Sequence, residues 1–223
     1  MNGEQGWDRA HWLWMAALVG GSSYFAAVIL HLDGALIWAW KASGVGLLAA
    51  WAAANAYGRG GWTMAAALAF GALGDWMLDA IGMMQGAAAF AAGHVIAIVL
   101  YLGNRRAAMT GSQKLLVAVV VPLALLAAWG LTKTAEPDQM AAALAYTAIV
   151  ALMAATAWAS RFPRYRTGIG AMLFLASDLF IFAGEGGALS KDVTMWLVWP
   201  LYFGGQALIA WGVVGTLAKE AKL

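Results

Sequence analysis

Residues 70–101 read FGALGDWMLDAIGMMQGAAAFAAGHVIAIVLY. Two apolar runs flank a short break around Gly82, and they carry Asp75, Asp79 and His94 among Ala, Gly, Met and aromatic residues. The runs do not alternate polar with apolar positions, so they predict helices and not the strands of a membrane barrel. An Asp or Lys at the centre of a bilayer costs roughly 2.5–3.5 kcal/mol on insertion scales. A chain that keeps such groups in apolar runs is expected to use them.

The rest of the chain repeats the pattern. It is 63% hydrophobic and 11% charged, against about 25% charged in an average soluble domain. Charge-poor runs of about twenty residues recur from end to end, each long enough to cross a bilayer. Eight spans are expected, over about 11–31, 35–56, 61–81, 86–103, 113–131, 140–160, 167–184 and 194–217. The fold class is therefore all-α, a polytopic integral membrane helical bundle forming a single transmembrane domain over 1–223. Residues 1–9 (MNGEQGWDR) carry two acids before the first run, unlike the basic start of a cleaved signal, so that run is expected to remain as a helix.

Lysine and arginine set the orientation. Arg9, Arg59, Arg105, Arg106, Lys114, Arg161, Arg164, Arg166, Lys219 and Lys222 fall on the side of the N-terminus, against Lys133 and Lys191 opposite. Both termini are expected in the cytoplasm, across the inner membrane if the cell is bacterial. The net charge of +2 reflects this asymmetry and does not point to nucleic acid. The absence of cysteine removes disulfides, thiolate metal sites and cysteine nucleophiles. Gly44 and Gly46, Gly71 and Gly74, Gly168 and Gly170, and Gly204 and Gly205 read as close helix contacts. Trp7, Trp12, Trp14, Trp196 and Trp199 read as interfacial belts.

Five polar residues lie inside spans: Lys41, Asp75, His94, Asp178 and Gln206. At about 1.5 Å per residue they fall roughly 9–18 Å below the non-cytoplasmic surface of a core about 30 Å thick. Facing a common cavity is cheaper for them than facing lipid. Structural readings stand beside the functional ones. Asp75 reads as a partner of Lys41, a role compatible with catalysis. Asp79, one turn beyond Asp75 and near a span end, reads as solvated, and so does Glu185. His94 reads on spacing as a hydrogen-bonded packing residue, and Ser177 as bonded to its own helix backbone. Tyr202 and Gln206, on one face of the last span, read as contacts between helices.

These residues also carry a resemblance. Gly74, Asp75, Leu78, Gly86, Phe90 and His94, then Phe174, Ser177 and Asp178, then Tyr202, Gln206, Leu208 and Ile209, with Lys41 in the second span, stand in the order and spacing of one family. The chain resembles the YhhN family of eight-span membrane proteins, whose characterised members are lysoplasmalogenases. Each motif is weak alone; all in register are specific, and they cover most of the chain from the second span onward. Ala42 replaces the family's usual Pro, and Ala97 its frequent Tyr, with Tyr101 one turn later.

The resemblance implies cleavage of the vinyl ether of a lysophospholipid, giving an aldehyde and a glycerophospho-alcohol, with no cofactor. Such a bond breaks when a proton is delivered to carbon and the oxocarbenium ion takes up water. Two carboxyl groups in unequal surroundings divide that work, as in glycosidases. Asp75 and Asp178 are the expected catalytic pair. Lys41, His94, Ser177, Tyr202 and Gln206 are the expected substrate-binding residues. Two other readings share these residues. A metal-dependent membrane hydrolase would want about three His or carboxylate ligands, and only His94 lies in the membrane interior, His11 and His31 being at the ends of the first span. A proton-coupled or lipid transporter would use the same Asp, Lys and His as a relay, with an inverted repeat that is not visible here.

Overall fold

A computed structural model describes residues 8–221; Trp7 and Lys222 lie outside the described residues. Eight long helices follow one another: α1 (His11–Ile29), α2 (Ala35–Ala54), α3 (Gly58–Ala80), α4 (Met83–Gly103), α5 (Gly111–Thr132), α6 (Pro137–Ala159), α7 (Ile169–Glu185) and α8 (Lys191–Glu220). A π-turn, Arg164–Gly168, leads into α7. Helices satisfy every backbone group within one segment, which lipid demands. Local signals start several of them. Thr110 and Gln113 form a capping box on α5, Pro137 occupies the first turn of α6, and Ser190 Oγ accepts from Val193 N at the start of α8.

Among the described residues, seven of the eight helices, α7 counted with its π-turn, are long and apolar enough to cross a membrane. The exception is α3, which carries Arg59, Asp75, Asp79 and several glycines. It is lodged between α2 and α4 with α8 against it, and of its charged residues only Asp75 is buried. α3, α4, α5, α6 and α8 begin two or three residues before the expected spans, while α1 and α2 end two residues short of theirs. α4 starts at Met83 and not near residue 86, because Gly82 (φ 144°) turns the chain within two residues of α3. α8 spans 30 residues, about 45 Å at 1.5 Å per residue, and its charged ends project beyond a core of about 30 Å.

α8 is the hub, packed against α1, α2, α3 and α7. Small residues let its backbone come close. A Cβ on Gly170 would stand 2.6 Å from the Gly205 carbonyl, and one on Gly205 would stand 2.6 Å from the Gly170 carbonyl. α5 lies at the periphery against α6 and α7. Both ends of the described residues are tied to a neighbouring helix end or loop. Arg9 N donates to Asn55 Oδ1 at the end of α2 (2.8 Å), and Arg161, after α6, pairs with Glu220 at the end of α8.

The tryptophan belt holds only in part. Trp12 and Trp196 are exposed. Trp14 instead packs inward against Trp51 and Trp211, with ring centroids 4.8 and 4.7 Å away. Trp199 is buried, and its indole donates to the Gly21 carbonyl (2.7 Å). Tryptophan is large and amphipathic, so either setting suits it.

Candidate functional site

The buried centre lies where α3, α4, α7 and α8 meet. Asp75, 1% exposed, accepts a hydrogen bond from the Tyr202 hydroxyl at 2.7 Å. Gly74 makes the crossing possible, since a Cβ there would stand 2.8 Å from the Phe90 ring. Phe90, Phe174 and Tyr202 meet edge to face, with centroids 5.1–6.2 Å apart. They wall the carboxylate away from water. The His94 ring stands perpendicular to Phe174, with centroids 4.6 Å apart. The Gln206 amide, one turn beyond Tyr202, lies against its hydroxyl.

Asp178 is also buried, on α7. Tyr146 of α6 is the polar side chain next to its carboxylate, while Asp178 Oδ2 finds no partner among the described residues. Tyr146 also sits 6.2 Å, ring to ring, from His94. It is the functional candidate that the sequence reading missed. Its signal was available: one hydroxyl-bearing aromatic in the middle of the Ala-rich sixth span.

Several expectations are corrected. Lys41 does not pair with Asp75. Its ammonium donates to both oxygens of Asp79, at 3.0 and 2.9 Å. Asp79 is thus ion-paired and not merely solvated; the cause is reach, since one turn along α3 separates the two acids. Glu185 at the end of α7 likewise pairs with Lys191 (3.4 Å), both side chains exposed. Ser177 does not bond its own helix. Its hydroxyl donates to the Val198 carbonyl of α8 (3.0 Å) and ties the two helices together. His94 Nε2 has no hydrogen-bond partner among the described residues.

The polar layer is divided and not gathered around one cavity. An outer cavity of about 460 Å³ is lined by Tyr24, His31, Lys41, Glu185, Lys191, Asp192 and Trp199, among others. Its size suits a lipid headgroup, and its rim carries both signs of charge. A small inner cavity touches His94 and Gln206. Asp75 is on neither lining: Gly71, one turn before it, lines the inner cavity, and Lys41, the partner of Asp79 one turn after it, lines the outer one. Among the described residues, no three His, Asp or Glu side chains converge as metal ligands.

Over 180 residues the chain is 31% identical to proteins named lysoplasmalogenase from Mycobacterium bovis and Mycobacterium tuberculosis, covering 78% of this chain and 69% of each relative. No solved structure matches it. The YhhN family profile matches residues 36–213, from the first turn of α2 into the last turns of α8. Every motif residue from Lys41 to Ile209 lies within that range, and the chain, an integral multi-pass membrane protein, belongs to the YhhN family.

Proposed function

We propose that the protein hydrolyses the vinyl ether of lysoplasmalogens, the 1-alkenyl glycerophospholipids of choline or ethanolamine, to a fatty aldehyde and a glycerophospho-alcohol. The observation that carries the reading is the Asp75 carboxyl group, enclosed by Phe90, Phe174 and Tyr202 one helical turn from the acid whose partner Lys41 lines a headgroup-sized cavity, in a chain whose relatives bear that name. A carboxylic acid kept from water is suited to protonate carbon. Asp75 and Asp178 form the acid and carboxylate pair. One delivers a proton to the β-carbon of the enol ether. The other balances the charge of the oxocarbenium ion and takes a proton from the water that adds to it. The hemiacetal then breaks its bond to the glycerol oxygen. Tyr202 holds Asp75 in place, Ser177 anchors α7 to α8 beside Asp178, and Lys41 offers a cation to the phosphate in the outer cavity. Both termini face the cytoplasm, and in a bacterium the bundle lies in the inner membrane.

The test is bond selectivity in detergent. A 1-alkenyl lysophospholipid should release aldehyde, and in heavy water one deuterium should enter at the aldehyde α-carbon. The 1-acyl analogue should stay intact, because an ester needs a nucleophile and an oxyanion hole. The saturated 1-alkyl ether should inhibit without reacting. Release of fatty acid from the acyl lipid at a comparable rate would overturn this chemistry. Turnover should also survive EDTA; loss on chelation with recovery on adding zinc would favour the metal hydrolase.

A further inference from the structure

The inner cavity, about 20 Å³, lies among α3, α4, α6, α7 and α8. That is room for about one water molecule. Met64, Ala67, Phe90, Met153 and Phe174 make most of its wall apolar, and His94, Tyr101 and Gln206 break it. His94 is 6% and Tyr101 0% exposed. Neither His94 Nε2 nor the Tyr101 hydroxyl meets a protein partner among the described residues. An apolar void of this size stays dry, whereas one with two unanswered polar groups holds water.

The cavity also shares a wall residue with the surroundings of Asp75. Gln206 lines it and lies against the Tyr202 hydroxyl, which donates to Asp75. Gly71 lets α3 pack closely on that amide; a Cβ there would stand 3.1 Å from Gln206 Nε2. The outer cavity is a poor source of water once a headgroup fills it.

We infer that the inner cavity is the store of the hydrolytic water, held by His94 and Tyr101 and passed by Gln206 to the oxocarbenium carbon. The inference rests on the vinyl-ether reading above. The water oxygen bonds to that carbon, its proton goes to the carboxylate, and the later break to the glycerol oxygen returns a proton to the leaving hydroxyl. His94, Tyr101 and Gln206 touch the water and so act on the reaction directly. The alkenyl chain and headgroup then arrive from one side of Asp75 and the nucleophile from the other.

Three variants test this. Tyr101→Phe keeps the ring and removes one hydrogen-bonding group. Ala97→Leu fills the cavity from the α4 side. Each should lower kcat about 10-fold or more, the worth of one hydrogen bond to the reacting water, with KM unchanged. Met153→Ala should widen the cavity enough to admit methanol. In water–methanol mixtures it should yield the mixed methyl acetal, while the wild type yields aldehyde alone. Wild-type kcat in both Tyr101→Phe and Ala97→Leu, with wild-type melting, would overturn the store, and so would an unchanged product split in Met153→Ala. If the wild type releases no aldehyde at all, the functional reading falls separately. The water site is then read with nitrogen-15-labelled histidine: the His94 Nε2 resonance should show a hydrogen bond that Tyr101→Phe and Ala97→Leu disturb. A resonance unmoved in both variants would overturn it.

Discussion

Asp75 and Asp79 stand on one face of α3, a single turn apart, and meet opposite surroundings. Asp75 is 1% exposed and has one neutral donor, the Tyr202 hydroxyl. Asp79 has a side chain 28% exposed and gives both oxygens to the Lys41 ammonium. Asp33, between α1 and α2, is a third case: fully exposed, it accepts from the Trp38 indole at 2.6 Å. Three identical side chains thus grade from enclosed to paired to open. The lesson is that a carboxyl group's chemistry follows from what excludes water around it, and its depth along the helix is secondary. Asp79 has a cation to neutralise it and is suited to hold structure. Asp75 has none in contact and is suited to hold a proton.

The largest effects should fall on the enclosed end of that series. Asp75→Asn and Asp178→Asn keep shape and abolish proton exchange, so each should reduce turnover at least about 10²-fold, the low end for acid–base catalysis. Near-normal turnover in a folded variant would remove that residue from the mechanism. Tyr202→Phe should cost less, about 10-fold in kcat, because it removes one hydrogen bond and leaves the acid in place; the pH profile of kcat should move with it.

The paired end should respond through binding. Lys41→Met should raise KM several-fold with little change in kcat, the mark of an interaction equal in ground and transition states. Asp79→Asn should change turnover least of the intramembrane acids. A double-mutant cycle across Lys41 and Asp79, read by thermal melting in detergent, should show positive coupling; additive losses would mean that the two do not work as a pair.

The open end should matter to stability alone. The indole and the Gly34 backbone N–H hold the Asp33 carboxyl below its usual range. Its folded value is depressed, so its contribution is present above the unfolded value of about 3.9 and is lost as pH falls through the folded one. Asp33→Asn should leave turnover unchanged and lower the melting temperature slightly at neutral pH. The gap to wild type should close below about pH 4.

The eight helices were legible because each apolar run is long and bounded by charges or glycines. α3 was read from the same runs although its acids keep it from standing out as a span. Residues 74–79 were legible as a site because polar groups there have no cheap solvent. The partners were not. Lys41 reaches past its own helix with a side chain about as long as a helical turn, so spacing could not choose between Asp75 and Asp79. Trp14 and Trp199 were taken for interface residues because composition does not separate a wet indole from one donating to Gly21. Tyr146 went unread because its meaning depends on Asp178, more than thirty residues away and on another helix.

The contact between Gly170 and Gly205 has a metrical consequence. Gly205 lies between Tyr202 and Gln206 on α8, and Gly170 lies two helical turns before Ser177 and Asp178 on α7. Where the two backbones touch, they work as a gauge block. They set how far the acid on α7 stands from the phenol and amide on α8. A single methyl at either glycine acts as a shim. Gly205→Ala would leave every polar group in the chain and alter only their spacing, which makes this crossing the place to tune the site without touching its chemistry.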